Sequence, residues 1–403
     1  ILWAMPVLLS AQQYGNEWIN PAQTYFKIPI AETGIYRLSQ AQLQGAGFPT
    51  SIDPRKIQIF HRGAEQAIRV AGEQDGSFDA TDFVEFYATR NDGTLDRELY
   101  FPNFNNHLNP FYNSYNDTTA YFLTYRIDSG TGKRMPFVDA PNPGYSPEPF
   151  YFQESIRVFS EQYSPGRNYV ATANSFAYIS NYDTGEGFAS NPLGASASRD
   201  ISFAVSQASS SSGIRPYVEL RFVSRLQPSS VASVSVGAST ASLRNILNAS
   251  GGGYNRYDFG REAEWSDFPA GNGNVVVRTT NTGGGAISLV YLKLTYTRLF
   301  NAEGLAESRY LLRTNAGNVS YIEIANAPNG ALLYDISDSN NLRIINTSSS
   351  STLNAVITNT ATARRLFLCS NFRTATNIRQ VVFQNINPSL FDYLIVSHPA
   401  LMR

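Results

Sequence analysis

Few side chains in this sequence have the chemistry of a nucleophile or a general base. The 403 residues contain one cysteine and three histidines. A thiol nucleophile needs an imidazole within hydrogen-bonding reach and donors for the oxyanion, and only Cys369 and His398 lie near each other in the sequence. Cys369 belongs to an apolar stretch (RLFLCS, residues 365–370), which predicts a buried strand rather than an exposed thiolate. His61 and His107 have no such neighbour, so the sequence identifies no catalytic residue.

Carboxylates surround a glycine-containing turn at residues 72–82 (GEQDGSFDATD). Asp75, Asp79 and Asp82 could together supply oxygen ligands to calcium. Their spacing does not fit the twelve-residue loop of EF-hands, and Asp-Gly is also a common turn dipeptide. Two interpretations therefore stay open, a calcium site formed by these three residues and an Asx-rich turn without metal. No other cofactor is predicted.

Residues 183–188 (DTGEGF) have the glycine content of a phosphate-binding loop. They lack the Lys-Ser/Thr ending and the apolar helix that would place backbone N–H groups around a phosphate. We predict a turn with a packed Phe188.

Aromatic residues are concentrated in the long loop at residues 100–116. Such rings could stack on sugars or anchor a protein partner. They could equally cap the end of a sheet and shield its core. The rings are those of Tyr100, Phe101, Phe104, Phe111, Tyr112 and Tyr115.

The composition predicts an all-β protein. Tyrosine and phenylalanine number 24 and 25, whereas methionine numbers three, and β-branched runs alternate with Ser, Thr, Asn and Gly. A net charge of −1 gives no field that would attract nucleic acid or an anionic membrane. A single cysteine excludes a disulfide framework and any zinc site that needs several cysteines.

Short apolar runs separated by turn residues predict two or three β-sandwich or β-rich modules in tandem. Repeated proline between the first two modules removes ladder donors and predicts a stiff linker. The predicted parts are a β-rich module at 13–128, a Pro/Gly linker at 129–150, a jelly-roll-like sandwich at 151–300 and a small β-sandwich at 301–390.

Both ends of the sequence have a distinct character. Residues 1–12 open with an apolar stretch too short to cross a bilayer, which predicts the remnant of a secretory signal peptide or, alternatively, a first β-strand. Residues 393–396 (YLIV) form an unbroken apolar run ahead of Ser397 and His398. A strand buried on both faces and followed at once by a helix start predicts that residues 391–403 begin a truncated α/β domain.

Short motifs of one family occur along nearly the whole chain. They are residues 13–21 (QYGNEWINP), 25–37 (YFKIPIAETGIYR), 53–55, 62–63, 75–87 (DGSFDATDFVEFY), 91–96, 118–124, 182–188 and 391–398 (FDYLIVSH). These segments resemble the gingipain family of cysteine peptidases, specifically its PorU-type members, which are sortases of the type IX secretion system of Bacteroidetes.

This resemblance implies a non-catalytic, all-β region that precedes a peptidase domain. The family's catalytic His-Gly segment and cysteine would lie beyond Arg403, so no catalytic position is assigned within the chain. The resemblance also implies export to the periplasm and the outer-membrane surface. The implied partners are secreted cargo, whose carboxyl-terminal signal domains the family cleaves, and outer-membrane components of the secretion system.

An adhesin or carbohydrate-binding protein built only of β-modules is the alternative. It predicts coplanar, exposed rings on the aromatic loop or on one face of a sandwich. No transmembrane segment and no nucleic-acid site is predicted by either interpretation.

Overall fold

The computed structural model describes residues 15–172, 175–178, 181–225, 229–348, 352–385, 388–390, 392, 393, 395 and 397. The predicted signal-peptide remnant at residues 1–12 lies outside these ranges. Leu394, Val396 and residues 398–403 also lie outside, so the predicted strand and helix start are described only in part. Tyr393 and Ile395 are 81% and 76% exposed.

The first part of the chain forms short strands and one α-helix. Helix α1 (Gln40–Gly45) begins where the hydroxyl of Ser39 accepts a hydrogen bond from the N–H of Gln42 at 3.2 Å. The strands are β1 Tyr25–Ile30, β2 Gly34–Ser39, β3 Ile57–His61, β4 Ala64–Glu65, β5 Arg69–Ala71, β6 Phe83–Ala88, β7 Thr119–Tyr125 and β8 Phe137–Val138.

The middle of the chain contributes longer strands. They are β9 Tyr151–Val158, β10 Gln162–Pro165, β11 Asn168–Thr172, β12 Ser175–Tyr178, β13 Glu186–Ala189, β14 Ser198–Val205, β15 Tyr217–Ser224, β16 Ser230–Gly237, β17 Arg244–Gly251, β18 Arg256–Glu262, β19 Gly273–Asn281 and β20 Ile287–Arg298.

The last part again forms short strands. They are β21 Glu307–Leu312, β22 Val319–Ala325, β23 Leu332–Asp335, β24 Arg343–Ile345, β25 Thr352–Thr358, β26 Arg364–Cys369 and β27 Arg379–Val381. Single turns of 3₁₀ helix occur at Pro54–Lys56, Glu73–Asp75, Phe104–Asn106, Ser210–Ser212, Trp265–Asp267 and Pro388–Leu390, and a longer one at Thr94–Tyr100. The predicted all-β class is confirmed.

A nine-stranded sheet forms the centre of the molecule, in the order β18-β15-β20-β9-β21-β26-β23-β24-β8. It takes strands from the predicted linker and from both sides of residue 300. The inner face of one half packs on the four-stranded sheet β14-β19-β16-β17 through residues such as Leu292, Leu294 and Val277. The other half packs on the pair β22-β25 around Ile322 and Leu368.

The amino-terminal module consists of the five-stranded sheet β27-β1-β7-β3-β4 and the three-stranded sheet β2-β6-β5. Ile28, Leu38, Ile59 and Val84 are among the fully buried residues of its core. Strand β27 comes from the far end of the chain, and it pairs antiparallel with β1 from Tyr25 opposite Val381 to Lys27 opposite Arg379. The module therefore includes residues almost 360 positions apart.

The outer face of the large sheet is covered in two places. Side chains alternate along β26, so Leu366 and Leu368 face the inner core while Phe367 and Cys369 face outward. Phe367 and Cys369 pack in one cluster with Ile35 of the amino-terminal module. At the opposite half, Leu108 packs on Val223 and Val290. The amino-terminal module thus spans the sheet from one contact to the other.

The proline-rich segment at 129–150 packs against the modules on either side of it. Arg134 forms an ion pair with Glu73 at 2.8 Å and donates to the carbonyl oxygens of Ile57 and Pro54. Strand β8 pairs in parallel with β24. Because its polar groups and its short strand are engaged on both sides, the segment adds to the packing of the modules that it connects.

Candidate functional site

The single thiol is placed as a structural residue. Cys369 is buried, and its Sγ donates to the carbonyl oxygen of Asn371 at 3.0 Å. Burial raises the pKa of the thiol to about 11, so it is protonated at neutral pH and a poor nucleophile. His398, the other member of the pair considered from the sequence, lies outside the described residues.

His61 also has a structural environment. His61 stacks on the ring of Tyr121 at 4.0 Å, and its Nε2 lies 3.0 Å from the hydroxyl of Thr119. Burial, together with the charge of Arg62, lowers the pKa of His61 to about 4. The ring is therefore neutral over the physiological range and fixed by its neighbours.

The three carboxylates considered for calcium have separate environments. Asp82 is buried, and its Oδ2 accepts a hydrogen bond from the N–H of Asp79 at 2.8 Å. Asp75 is exposed and accepts from the N–H of Ser77 at 2.9 Å. Within the described part of the chain, no group of three or more His, Cys, Asp or Glu side chains is placed to hold a metal ion. These contacts are those of an Asx-rich turn, and the calcium site stays a prediction.

The polar groups of residues 183–188, which end in strand β13, bond to one another and to Arg167. The N–H of Asp183 donates to the carboxylate of Glu186 at 2.9 Å, and Asp183 forms an ion pair with Arg167. Phe188 packs against the rings of Tyr112 and Tyr163. The geometry is that of the predicted turn with a packed phenylalanine.

The aromatic loop, residues 100–116, packs onto the middle of the molecule, and we call it the docking arm. Leu108 at its centre is fully buried, and Phe111 contacts Tyr291 edge-on at 5.1 Å. The hydroxyl of Tyr100 donates to the carbonyl oxygen of Glu186 at 2.6 Å. Gly187 allows this approach because a Cβ there would come within 3.2 Å of Leu108 and Tyr100, and its φ of +129° is unfavourable for other residues.

Polar side chains hold the backbone of the docking arm. The Nδ2 of Asn109 donates to the carbonyl oxygens of Phe159 and Phe188, each at 3.1 Å. Arg256 donates to the carbonyl oxygen of His107 at 2.8 Å, and Arg221 to that of Leu108 at 3.0 Å. Buried carbonyl groups of an irregular loop need such donors, since the loop has no ladder to satisfy them.

The outer side of the docking arm does not form a flat aromatic platform. Phe101 and Tyr115 are each 70% exposed. Phe101 contacts Phe104 edge-on, with the ring planes at 64°. The arm expected to bind sugars in the adhesin alternative is thus mainly an intramolecular contact.

Residues 370–383, which we call the strap, make a second contact between the amino-terminal module and the large sheet. We call this contact and that of the docking arm the two joints. Its Arg373 exchanges backbone hydrogen bonds with β2, since it donates to Ile35 and accepts from Arg37, both at 2.8 Å. Ala375 enters the core of the amino-terminal module, and Phe383 packs against Trp18 at 5.5 Å. The guanidinium of Arg373 also pairs with Glu307 on the large sheet.

A buried carboxylate lies where the strap joint meets the large sheet. Glu85 on β6 is fully buried, and it accepts from Nε of Arg37 at 2.6 Å and from the hydroxyl of Tyr334 at 2.8 Å. Arg69 is 3.6 Å away. Burial and the neighbouring carboxylate raise the pKa of Tyr334, so this phenol stays a donor. The cluster links β6 of one module to β23 of another.

Sequence reasoning missed this cluster and the strap. Glu85 lies in the middle of the run FVEFY, where no neighbouring residue indicates that its carboxylate is buried. Its partner Tyr334 follows almost 250 positions later, so no local pattern relates the two. Nothing in the stretch RQV of β27 distinguishes it from a short strand of the last module.

Among solved structures, one of PorU shares the fold of this chain. Dimeric latent PorU from Porphyromonas gingivalis matches with a TM-score of 0.64 and 14% sequence identity, over 91% of this chain and 34% of that one. This chain therefore spans about a third of the length of that structure. At this identity the similarity establishes a shared fold and no activity.

Other solved structures resemble the chain only weakly, and no argument rests on them. BuGH86 in complex with neoagarooctaose has a TM-score of 0.21, with 11% identity over 69% of this chain and 33% of that one. The tandem CBM22 domains of Paenibacillus barcinonensis Xyn10C have a TM-score of 0.22, with 7% identity over 55% and 91%. No protein-family model and no curated protein matches the sequence.

Proposed function

We propose that this chain is the non-catalytic, β-rich region of an exported gingipain-type cysteine endopeptidase of the PorU type. The observation that carries the proposal is the fold shared with PorU over 91% of the chain. The sequence segments that resemble PorU-type proteins, from residues 13–21 to 391–398, support it independently. In this proposal the catalytic histidine and cysteine belong to a following domain.

The two joints suit a region that orients a peptidase domain. Modules joined only by flexible linkers would move independently, whereas here the docking arm and the strap fix the amino-terminal module to the large sheet at two places. The whole protein would cleave the carboxyl-terminal signal domains of secreted cargo as a sortase of the type IX secretion system. Its partners would be that cargo and outer-membrane components of the secretion system, and its location the periplasm and the cell surface. No helix in the described ranges is long and apolar enough to cross a membrane.

The coding sequence beyond Arg403 provides the first test. We expect a His-Gly segment followed by a cysteine, and their absence would contradict the peptidase assignment. The second test incubates the full-length protein with a cargo protein that carries its carboxyl-terminal signal domain. Cleavage that is lost when the downstream cysteine is changed to alanine would support the proposal. Intact cargo with the unmodified enzyme would oppose it.

A further inference from the structure

A cavity of about 310 Å³ with two basic side chains in its wall lies on the outer face of the five-stranded sheet, beside its β27 edge. It is lined by Lys27 of β1, Arg379 of β27, and the polar side chains of Asn116, Thr118 and Asn377. Asn377 and Arg379 belong to the strap and Asn116 ends the docking arm, but all three are exposed and lie outside the buried clusters of the two joints. The volume is within the lower range for small-molecule sites and about ten times the share of one water molecule in the liquid.

The charges of this cavity are uncompensated. Lys27 and Arg379 are directly opposite each other in the antiparallel pair of β1 and β27, so their side chains leave the same face of the sheet. Like charges in this arrangement repel and destabilise the pair. Neither residue has an ion-pair partner within the described ranges, whereas Arg37 and Arg373 of the same module both pair with glutamates.

Asp117, which lies between the lining residues Asn116 and Thr118 in the sequence, forms no ion pair with Lys27 or Arg379 among the described residues. Asp117 accepts a hydrogen bond from the hydroxyl of Thr118 at 3.0 Å, and it is not among the residues that line the cavity. An oxyanion placed between Lys27 and Arg379 would turn their repulsion into two charge-assisted hydrogen bonds. A dianion would compensate both cations with one group, and the amides of Asn116 and Asn377 could supply neutral donors.

We propose that this cavity binds a phosphate group carried by a small molecule. Pro29 and Ala120 form the apolar part of the wall. The space beyond one phosphate therefore suits a small organic substituent. The proposal concerns a site that the peptidase assignment does not use, and either proposal can fail without affecting the other.

Isothermal titration calorimetry of the intact chain in low-salt buffer tests the site. Inorganic phosphate and phenyl phosphate should each bind with one-to-one stoichiometry, more weakly as sodium chloride is added, because salt screens exposed charges. Acetate should bind at least tenfold more weakly than phosphate, since it carries one charge. Tighter binding of phenyl phosphate would identify an organic phosphate as the ligand class, and equal binding would identify the phosphate group alone. No saturable binding of either compound, or equal affinity for acetate and phosphate, would overturn the proposal.

Variants separate the site from general charge effects. Lys27→Gln and Arg379→Gln should each weaken phosphate binding about tenfold, the loss of one charge-assisted hydrogen bond. Lys27→Glu should abolish binding yet keep or raise the melting temperature, because the introduced carboxylate would pair with Arg379 across the strands. Arg261→Gln, on an exposed arginine of β18, is the matched control and should leave binding unchanged. Unchanged affinity in Lys27→Glu would refute the assigned site.

Discussion

The two joints of the amino-terminal module are built from different interactions. The strap joint uses strand pairing between β1 and β27, a shared apolar core and the buried carboxylate Glu85. The docking arm contributes one fully buried leucine. It is otherwise held by Arg256, which donates to the carbonyl oxygen of His107, and by its own Asn109, which donates to the carbonyl oxygen of Phe159. The strap joint is therefore part of the core of the amino-terminal module. The docking arm instead packs on the outside of a sandwich that has its own core. We expect the strap joint to fail only when the module unfolds, and the docking arm to open by itself.

Replacing Glu85 should produce the largest change. Glu85→Ala leaves Arg37, Arg69 and the hydroxyl of Tyr334 without their common acceptor, and losing one partner of a buried pair costs about 3–5 kcal/mol. Urea unfolding of the intact chain measures the effect. Glu262→Ala removes an exposed ion pair with Arg215 and should change the free energy of unfolding by less than about 0.5 kcal/mol. Equal effects of the two changes would contradict the assigned role of Glu85.

Leu108→Ala should weaken the docking arm selectively. The buried side chain leaves a cavity against Val223 and Val290, at a cost of about 2–4 kcal/mol. Limited proteolysis with chymotrypsin should cut the arm faster, while the urea midpoint of the amino-terminal module changes little. Leu299→Ala, at a position 43% exposed, is the control. Loss of structure throughout the chain would show that the arm does not open independently.

Lowering the pH should favour opening of the docking arm, because His107 binds a proton more readily when the arm is open. Burial, with the charges of Arg221, Arg256 and Arg97, lowers the pKa of His107 to about 4. In the unfolded chain, His107 binds a proton below pH 6.5, its ordinary pKa, whereas in the folded chain it stays neutral down to about pH 4. The contribution of neutral His107 to the free energy of unfolding is therefore fully present above pH 6.5 and falls by about 1.4 kcal/mol per pH unit between pH 6.5 and 4. His107→Gln should flatten the dependence of arm cleavage on pH. His61→Gln removes a histidine with an equally lowered pKa from strand β3, outside the docking arm, and it should leave arm cleavage unchanged.

Removing a polar contact of the arm should have the smallest effect on the free energy of arm opening. Asn109→Ala removes the side-chain donor to the carbonyl oxygens of Phe159 and Phe188 and should cost about 1–2 kcal/mol. The same chymotrypsin assay should show faster cleavage than in the unmodified chain but slower than in Leu108→Ala. Faster cleavage in Asn109→Ala than in Leu108→Ala would show that hydrogen bonds, and not the buried leucine, dominate this joint.

Local sequence patterns predicted the fold class because alternation and turn residues act over a few positions. The alternating residues 287–296 lie in β20, and the hydroxyl of Ser39 accepts the hydrogen bond that caps α1. The same patterns could not predict that β27 completes the first sheet, since Tyr25 and Val381 meet only through the tertiary fold. The aromatic loop was predicted with two open roles. The contacts of Tyr100, Phe111 and Tyr112 are those of the packing role, whereas Phe101 and Tyr115 are exposed.

The pairing of β1 with β27 also constrains the order of events during synthesis. A ribosome releases Tyr25 long before Val381, so the first sheet lacks its edge strand until more than 350 further residues have emerged. Until then β1 presents unpaired backbone groups, which invite pairing with other chains. A nascent chain of this protein should therefore depend on chaperones until residue 381 is available.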